Sequence, residues 1–430
     1  MEIKIPYGKE TMTFRADDNR VSAVLTPKRR RAEGEHAANM SQTEAETVRQ
    51  ALSAPIAAKP LRESVKGKKR ITVISCDHTR PMPSRITMPI LLEEIRKGQP
   101  DADITILVAT GLHRASTREE LIEKYGADLV NRETIIVHDC HDERNLRNLG
   151  VLPSGADLVL STHTLDADIL IAEGFIEPHF FAGFSGGRKS VLPGVAGYKC
   201  VTANHCAEFI AHKNAAAGVM DGNPIHTDMA FAAEKAGLAF ILNVLLDDRR
   251  CIVDAVAGDA ILAHEEGCRR LLNRTSTKAV RAPIVVTSNG GYPLDRNIYQ
   301  MVKCMSVAEQ CCDANGVIIA VGECRDGHGG ERFFNDFAHG DDPETLTRQF
   351  LRRNRNETAT DQWQSQILAR ILTRQTVIMV TPLQKETVEK MGMRSAETIE
   401  EALSVAEELM GDREAKIVVI PEGMGVIVTR

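Results

Sequence analysis

The sequence predicts an α/β protein of two doubly wound domains, with a ligand site in the cleft between them. Three observations lead there. Short apolar runs such as ITVISC (71–76), ITILVAT (104–110) and TIIVHD (134–139) alternate with segments whose apolar residues recur at helical spacing. The alternation breaks at the polar, turn-rich NRTSTKAVRAP (273–283) and resumes with PIVVTSNG (283–290). Polar or glycine-rich motifs then follow directly on five of the strands: DHTRP, TGLHR, EGFIEPH, NGGYP and ECRDGHGGE. Ligands of open α/β sheets bind beyond the carboxyl ends of the strands, so five such loops predict one shared site.

The elements follow in order. Residues 1–30 read as a polar β-hairpin region running into the basic stretch Lys28–Arg31, taken as a solvated loop. A helix over 43–52 precedes ITVISC. MPSRITMPILLEEIRK (82–97) and STREELIEKYG (116–126) are helices between the next strands, and ADILIAEG (167–174) and LAFILNVLLD (238–247) continue the sheet. After a helix at 260–272 and the linker come a helix at 297–313, the strand GVIIAVGE, helices near 343–353 and 362–373, the strand TVIMVTP, a helix at 395–410 and the strand KIVVIPE. The expected domains are 1–275 and 276–410, with a terminal strand segment, 411–430, that could return to the first domain.

Composition sets bounds on partners. The 430 residues are 43% hydrophobic and 26% charged, with a net charge of −6, which gives no electrostatic reason to bind nucleic acid or an anionic membrane. No apolar run approaches the ~20 residues that a transmembrane helix needs, and MEIKIPYGKE is charged where a secretory signal is apolar. Ten scattered cysteines without a CxxC pair fit free thiols in a reducing cytoplasm.

GFIEPHFFAGFSGGRK (174–189) is the most specific segment. It sets His179 among aromatics and ends a glycine-rich turn in Arg188 and Lys189; Gly183, Gly186 and Gly187 would let backbone amides approach a bulky ligand. Gly183, Lys189 and Ser190 keep the offsets of a phosphate-binding GxxxxGK[ST] loop, but Arg188 stands where the second glycine belongs and would collide with that cradle. Lys189, beside a cation, is a candidate nucleophile. In DHTRP, Arg80 could grip a carboxylate with Asp77 holding its fork; the alternative is a pair that caps the helix starting near Pro83. His113 lies in the loop beyond its strand. His179 and His205 are too far apart in sequence to make a metal signature by spacing. His138-Asp139-Cys140-His141-Asp142 looks metal-like, but adjacent residues cannot all face one ion, and a solvated acidic loop is expected. Tyr299, Gln300 and Lys303 could present polar groups from the first turns of a helix. Trp363, the single tryptophan, is either core or a flat wall for a heteroaromatic ligand.

Taken in this order, ISCDHTRP, TGLHR, GFIEPHFFAGFSGGRKSVLPG, ANH, NGGYPLDRNIYQMVK, DGHGGE and DQW closely resemble the nickel-pincer lactate racemase family, over nearly the whole chain. The resemblance implies a nickel cofactor, pyridinium-3,5-bisthiocarboxylic acid mononucleotide, tethered to Lys189 as a thioamide, with His205 as the protein's nickel ligand. It implies His113 and His179 as acid–base groups on the two faces of the substrate, and Arg80, oriented by Asp77 and assisted by Lys303, on its carboxylate. Tyr299, Gln300, Trp363, Gly186 and Gly187 become cofactor contacts, and Arg188 helps Lys189 lose its proton. Enzymes that synthesise and insert the cofactor become partners. The expected activity is racemisation of a 2-hydroxy acid, lactate first, with malate, a longer aliphatic acid or a sugar acid as alternatives. A non-catalytic protein binding a nucleotide or phosphate ligand through the glycine turn is the reading of a different class; convergence of His113, His179 and His205 would argue against it.

Overall fold

The computed structural model describes residues 1–27, 37–247 and 249–429. The basic stretch Lys28–Arg31 lies outside them. The described residues form two compact units, one within 30–205 and 212–273, the other within 1–29, 206–211 and 274–430.

The first unit is built on a six-stranded sheet. Its strands, in chain order, are Arg70–Cys76, Asp103–Ala109, Thr134–Val137, Ile169–Phe175, Leu238–Leu246 and Ile252–Gly258, and their spatial order is 3-2-1-4-5-6. Only the last strand runs antiparallel. The central strands are near-continuous buried aliphatic runs because helices such as Ser84–Gly98 cover them, as expected of a parallel sheet. Chain order reverses between Arg70–Cys76 and Ile169–Phe175. Loops leaving a sheet at such a reversal diverge and leave room for a ligand. Here those loops carry Asp77–Arg80 and Glu177–His179.

The second unit holds an all-parallel sheet in the order Arg394–Ala396, Thr376–Val380, Cys312–Val321, Ala282–Ser288, Ile417–Ile420 and Val21–Val24. This corrects the expected 1–275 grouping. Val21–Val24 pairs with Ile417–Ile420, and the hairpin Glu2–Tyr7/Glu10–Arg15 buries Ile5 and Phe14 in the same core. The terminal segment likewise stays in this unit, where Ile427–Thr429 pairs with Ser276–Lys278 inside the expected linker. Two expected helices are shorter. Ile298–Ala308 stops before strand Cys312–Val321 begins, and Ile399–Met410 starts only after Thr398, whose hydroxyl accepts from the Glu401 amide as its N-cap.

Candidate active site

Three loops of the first unit gather the site. Strand Arg70–Cys76 ends in Asp77, which is buried. Its Oδ2 lies 2.6 Å from His113 Nδ1, while Oδ1 accepts from the Thr79 amide at 3.1 Å and the Thr79 hydroxyl at 2.7 Å. Burial alone would raise the Asp77 carboxyl, but the His113 hydrogen bond and charge, with Thr79 and Arg80, outweigh it and hold the group below its ordinary value. The expected Asp77–Arg80 fork therefore gives way to an Asp77–His113 pair; the exposed Arg80 side chain acts on the Asp77 carboxyl through charge, while its backbone amide donates to the Asp77 carbonyl at 3.3 Å. With Nδ1–H donated to the carboxylate, His113 keeps its Nε2 lone pair for a proton.

The base of the 77–83 loop is pinned by Glu173, the first residue of the EGFIEPH motif, for which the sequence suggested no role. Glu173 is fully buried; it accepts from Ser75 Oγ at 2.6 Å before the loop, and from Ser84 Oγ at 3.1 Å and the Thr87 hydroxyl after it. It supplies an anion to the start of helix Ser84–Gly98, whose N-cap position is Pro83 and has no side-chain cap. Its sequence signal was a glutamate at the start of EGFIEPH, inside the otherwise apolar strand ILIAEGF.

Strand Ile169–Phe175 leads into a small hairpin, Pro178–His179 against Gly183–Phe184. His179 Nδ1 accepts from the Ala182 amide at 3.3 Å, which leaves the N–H of the neutral ring on Nε2. The turn Gly187–Ser190 follows and carries Lys189. Phe181, buried, joins these residues. Its ring centroid is 4.5 Å from that of His179, 5.1 Å from that of His205 and 5.8 Å from Lys189 Nζ. His205 follows helix Tyr198–Asn204, its Nδ1 3.0 Å from the Val201 carbonyl, so Nε2 holds the lone pair. Burial, then the Lys189 charge, pushes the His205 imidazole down to about 3, so it is neutral. A neutral imidazole oriented through Nδ1–H is the form that ligates a metal. The His113 loop joins the same framework: the Gly111 amide donates to the Gly194 carbonyl at 3.0 Å, and the Gly194 amide to the Lys189 carbonyl at 3.2 Å.

The glycine turn works differently from expectation. The Gly187 amide donates to Asn243 Oδ1 at 2.9 Å, and a Cβ on Gly186 or Gly187 would stand 2.6 Å from Asn243 Oδ1 or 2.7 Å from the His264 ring. Both have positive φ, 76° and 50°. Their room is filled by protein. Arg188 is buried too, its guanidinium donating to the Ala182 and Gly186 carbonyls and His226 rather than presented to an anion, with His264, whose Nε2–H donates to the Ser185 carbonyl at 2.8 Å, packed beside it. In the acidic-looking run, His138 is buried with Nε2 on the Ala196 carbonyl, His141 stacks on Tyr198, and Asp142 caps a short helix. Among the described residues, no three His, Cys, Asp or Glu side chains are grouped to hold a metal.

In the second unit, Tyr299 Oη donates to Asp361 at 2.8 Å, the Gln300 amide caps onto Asn297 Oδ1 at 3.0 Å, and Lys303 lies one turn on and is half-buried. Trp363 is 9% exposed, in helix Gln362–Arg374.

Known proteins are similar to this chain along its length. The family described as "Lactate racemase N-terminal domain" matches residues 7–218, and "Lactate racemase C-terminal domain" matches 277–428. Lactate racemases of Thermoanaerobacterium thermosaccharolyticum and Lactiplantibacillus plantarum are 50% and 47% identical over 427 residues, 99% of either chain. The solved lactate racemase apoprotein of the former superposes with a TM-score of 0.96 at 49% identity, covering all of both chains. A Thermotoga maritima protein shares the fold at 16% identity and a TM-score of 0.63, covering 90% of this chain and 98% of that one. With both domain families matched in order and half its residues identical to those of curated relatives along its full length, the chain belongs to the lactate racemase family.

Proposed function

We propose that this chain interconverts L- and D-lactate with a nickel-pincer nucleotide held on Lys189. The observation that carries the proposal is the gathering of His179, Lys189 and His205 about the Phe181 ring, with the Asp77–His113 pair joining two loops, of which the His113 loop is linked to the Lys189 turn through Gly194. The residues fit the group. Lys189 offers an amine and His205 an oriented neutral imidazole, a donor that Ni(II) accepts alongside soft sulfur. When bound, the cofactor would supply a reversible hydride acceptor for the substrate's C2.

The chain's own residues handle the protons and the carboxylate. His113, with Nδ1–H held by Asp77, can take a hydroxyl proton at Nε2. His179 accepts from the Ala182 amide at Nδ1, which puts its N–H on Nε2; it must give up that contact and shift the proton to Nδ1 before Nε2 can serve as a base. Arg80 would bind the carboxylate as a bidentate fork, assisted by Lys303. Roles for Tyr299, Gln300 and Trp363 against the cofactor belong to the same proposal, as do supply of the cofactor by dedicated synthesis enzymes and a cytoplasmic location. Among the described residues, no helix is long and apolar enough to cross a membrane.

The test is intact mass and nickel content of protein made with and without the cofactor-synthesis enzymes. Wild type should gain a covalent adduct and nickel together. Lys189→Ala should gain neither, and His205→Ala should keep the adduct with little nickel. An adduct that survives in Lys189→Ala ends the tether assignment.

A further inference from the structure

We infer that Arg188 is a positioning residue that sets both Lys189 and His179, by clasping the hairpin tip to the turn that follows it. The inference rests on the roles proposed above for those two residues. Arg188 is 4% exposed; its fork donates to three groups and packs against a fourth, His264, whose Nε2 bonds the Ser185 carbonyl. Nε donates to His226 Nδ1 at 2.9 Å, Nη2 to the Ala182 carbonyl at 2.7 Å, and Nη1 to the Gly186 carbonyl at 3.4 Å, with His264 Nε2 3.1 Å from Nη1. No carboxylate lies within salt-bridge distance of it among the described residues. A guanidinium taken out of water without an anion is costly, so its geometry has to be well satisfied. Planar donors fixed in a fork supply that; a lysine ammonium in the same place would be a point charge.

What the fork holds is specific. Ala182 is the residue whose amide sets the His179 ring, and Arg188 grips its carbonyl. The neighbouring Phe181 carbonyl is held by Asn223 Nδ2 at 2.8 Å, and Asn223 also caps helix Pro224–Lys235, which carries His226. The fourth group, His264, stands on helix Leu262–Thr275 and packs on Gly187, one residue before Arg188. One buried cation thus ties the His179 hairpin and the Lys189 turn to two helices. In the sequence, Arg188 and Lys189 look like a pair of equivalent cations. In a tight 3₁₀ turn successive side chains diverge by a third of a revolution, so one can enter the protein while the next serves the ligand.

The experiment compares Arg188→Lys, which keeps the charge and loses the fork, with His226→Gln, which removes one leg of the clasp and leaves the grip on Ala182. Hydrogen exchange by mass spectrometry on apoprotein should accelerate about tenfold or more in peptides spanning 178–190 of Arg188→Lys, and less in His226→Gln, with the Thr110–His113 peptide unchanged. Covalent loading at Lys189 should slow in the same order. In the loaded protein, kcat for lactate should fall by about tenfold or more while KM stays within about twofold, because Arg80 is untouched. Wild-type exchange and loading in Arg188→Lys would overturn the inference. So would faster exchange throughout the chain, which would make Arg188 a general stabiliser. Lys189→Ala and His179→Ala run alongside: if they load and turn over like wild type, the site assignment has failed rather than the clasp.

Discussion

The loops that carry His113 and His179 hold their imidazoles by opposite means. On the first, a buried carboxylate takes the Nδ1–H of His113 and can stabilise the ring when it is charged. On the hairpin, the partner is the Ala182 amide, a donor, which favours a neutral ring with its proton on Nε2. The resting protein is therefore asymmetric although the reaction is not. Because the two lactate enantiomers are equal in free energy, kcat/KM must be equal in both directions, and the asymmetry can surface only in kcat and KM taken separately. If the proposed roles hold, the acid–base pair is built from unlike supports.

The strongest way to break this comparison is to remove each ring. His113→Ala and His179→Ala should each lower racemisation by roughly 10²–10⁴-fold, the usual worth of general acid–base catalysis. Quenched single turnovers with each pure enantiomer should then separate them: keto-acid formation survives for one enantiomer in His113→Ala and for the other in His179→Ala. Two variants with the same preference would leave no room for a two-sided site.

Smaller effects come from the supports. Asp77→Asn weakens the charge-assisted bond to His113, a contact worth about 1.5–3 kcal/mol, so kcat should drop by roughly ten- to a hundredfold with KM little changed. Arg80→Lys touches no imidazole and should do the reverse, raising KM by a similar factor as the bidentate grip is lost. Steady-state kinetics on the two variants decides it; matching profiles would mean that Asp77 serves Arg80 after all.

Acid should separate the two regions as well. Burial, then the Arg188 charge, lowers the His226 imidazole to about 4, and His264 is lowered for the same reasons. An unfolded histidine takes up its proton near pH 6.5, so stability is fully present above that pH and falls as pH drops toward 4, by at most about 1.4 kcal/mol per unit for each ring. The Asp77 carboxyl is also lowered, and its contribution persists until pH falls below the ordinary carboxylate range. Chemical denaturation at pH 7, 5.5 and 4.5 should show a slope that flattens in His226→Gln; an unchanged slope would mean that His226 titrates normally in the folded chain.

Much of the fold was legible because parallel strands buried on both faces spell themselves as aliphatic runs, and the loops after them concentrate glycine and polar residues. The strand-end motifs did carry His113, His179 and Lys189 into one framework. What the sequence hid is what depends on partners far along the chain. Asp77 chose His113, 36 residues away across a neighbouring strand, over the adjacent Arg80. Arg188 and Lys189 differ in function through a local rotation that composition does not record. Glu173 was lost inside an apolar strand, and Val21–Val24, with only four residues, gave no hint that its partner lay at the other end of the chain.

That last pairing bears on how the molecule is made. Val21–Val24 leaves the ribosome roughly 400 residues before Ile417–Ile420, its neighbour in the sheet. At bacterial-type rates of about 5–20 residues per second, the early strand waits roughly 20–80 s with an unpaired edge. The unit carrying Lys189 and His205 can complete its own sheet in that interval, whereas the other cannot close until Ile417–Ile420 emerges. Premature termination would then leave one half folded and the other without its sheet neighbour, a product that quality-control proteases recognise.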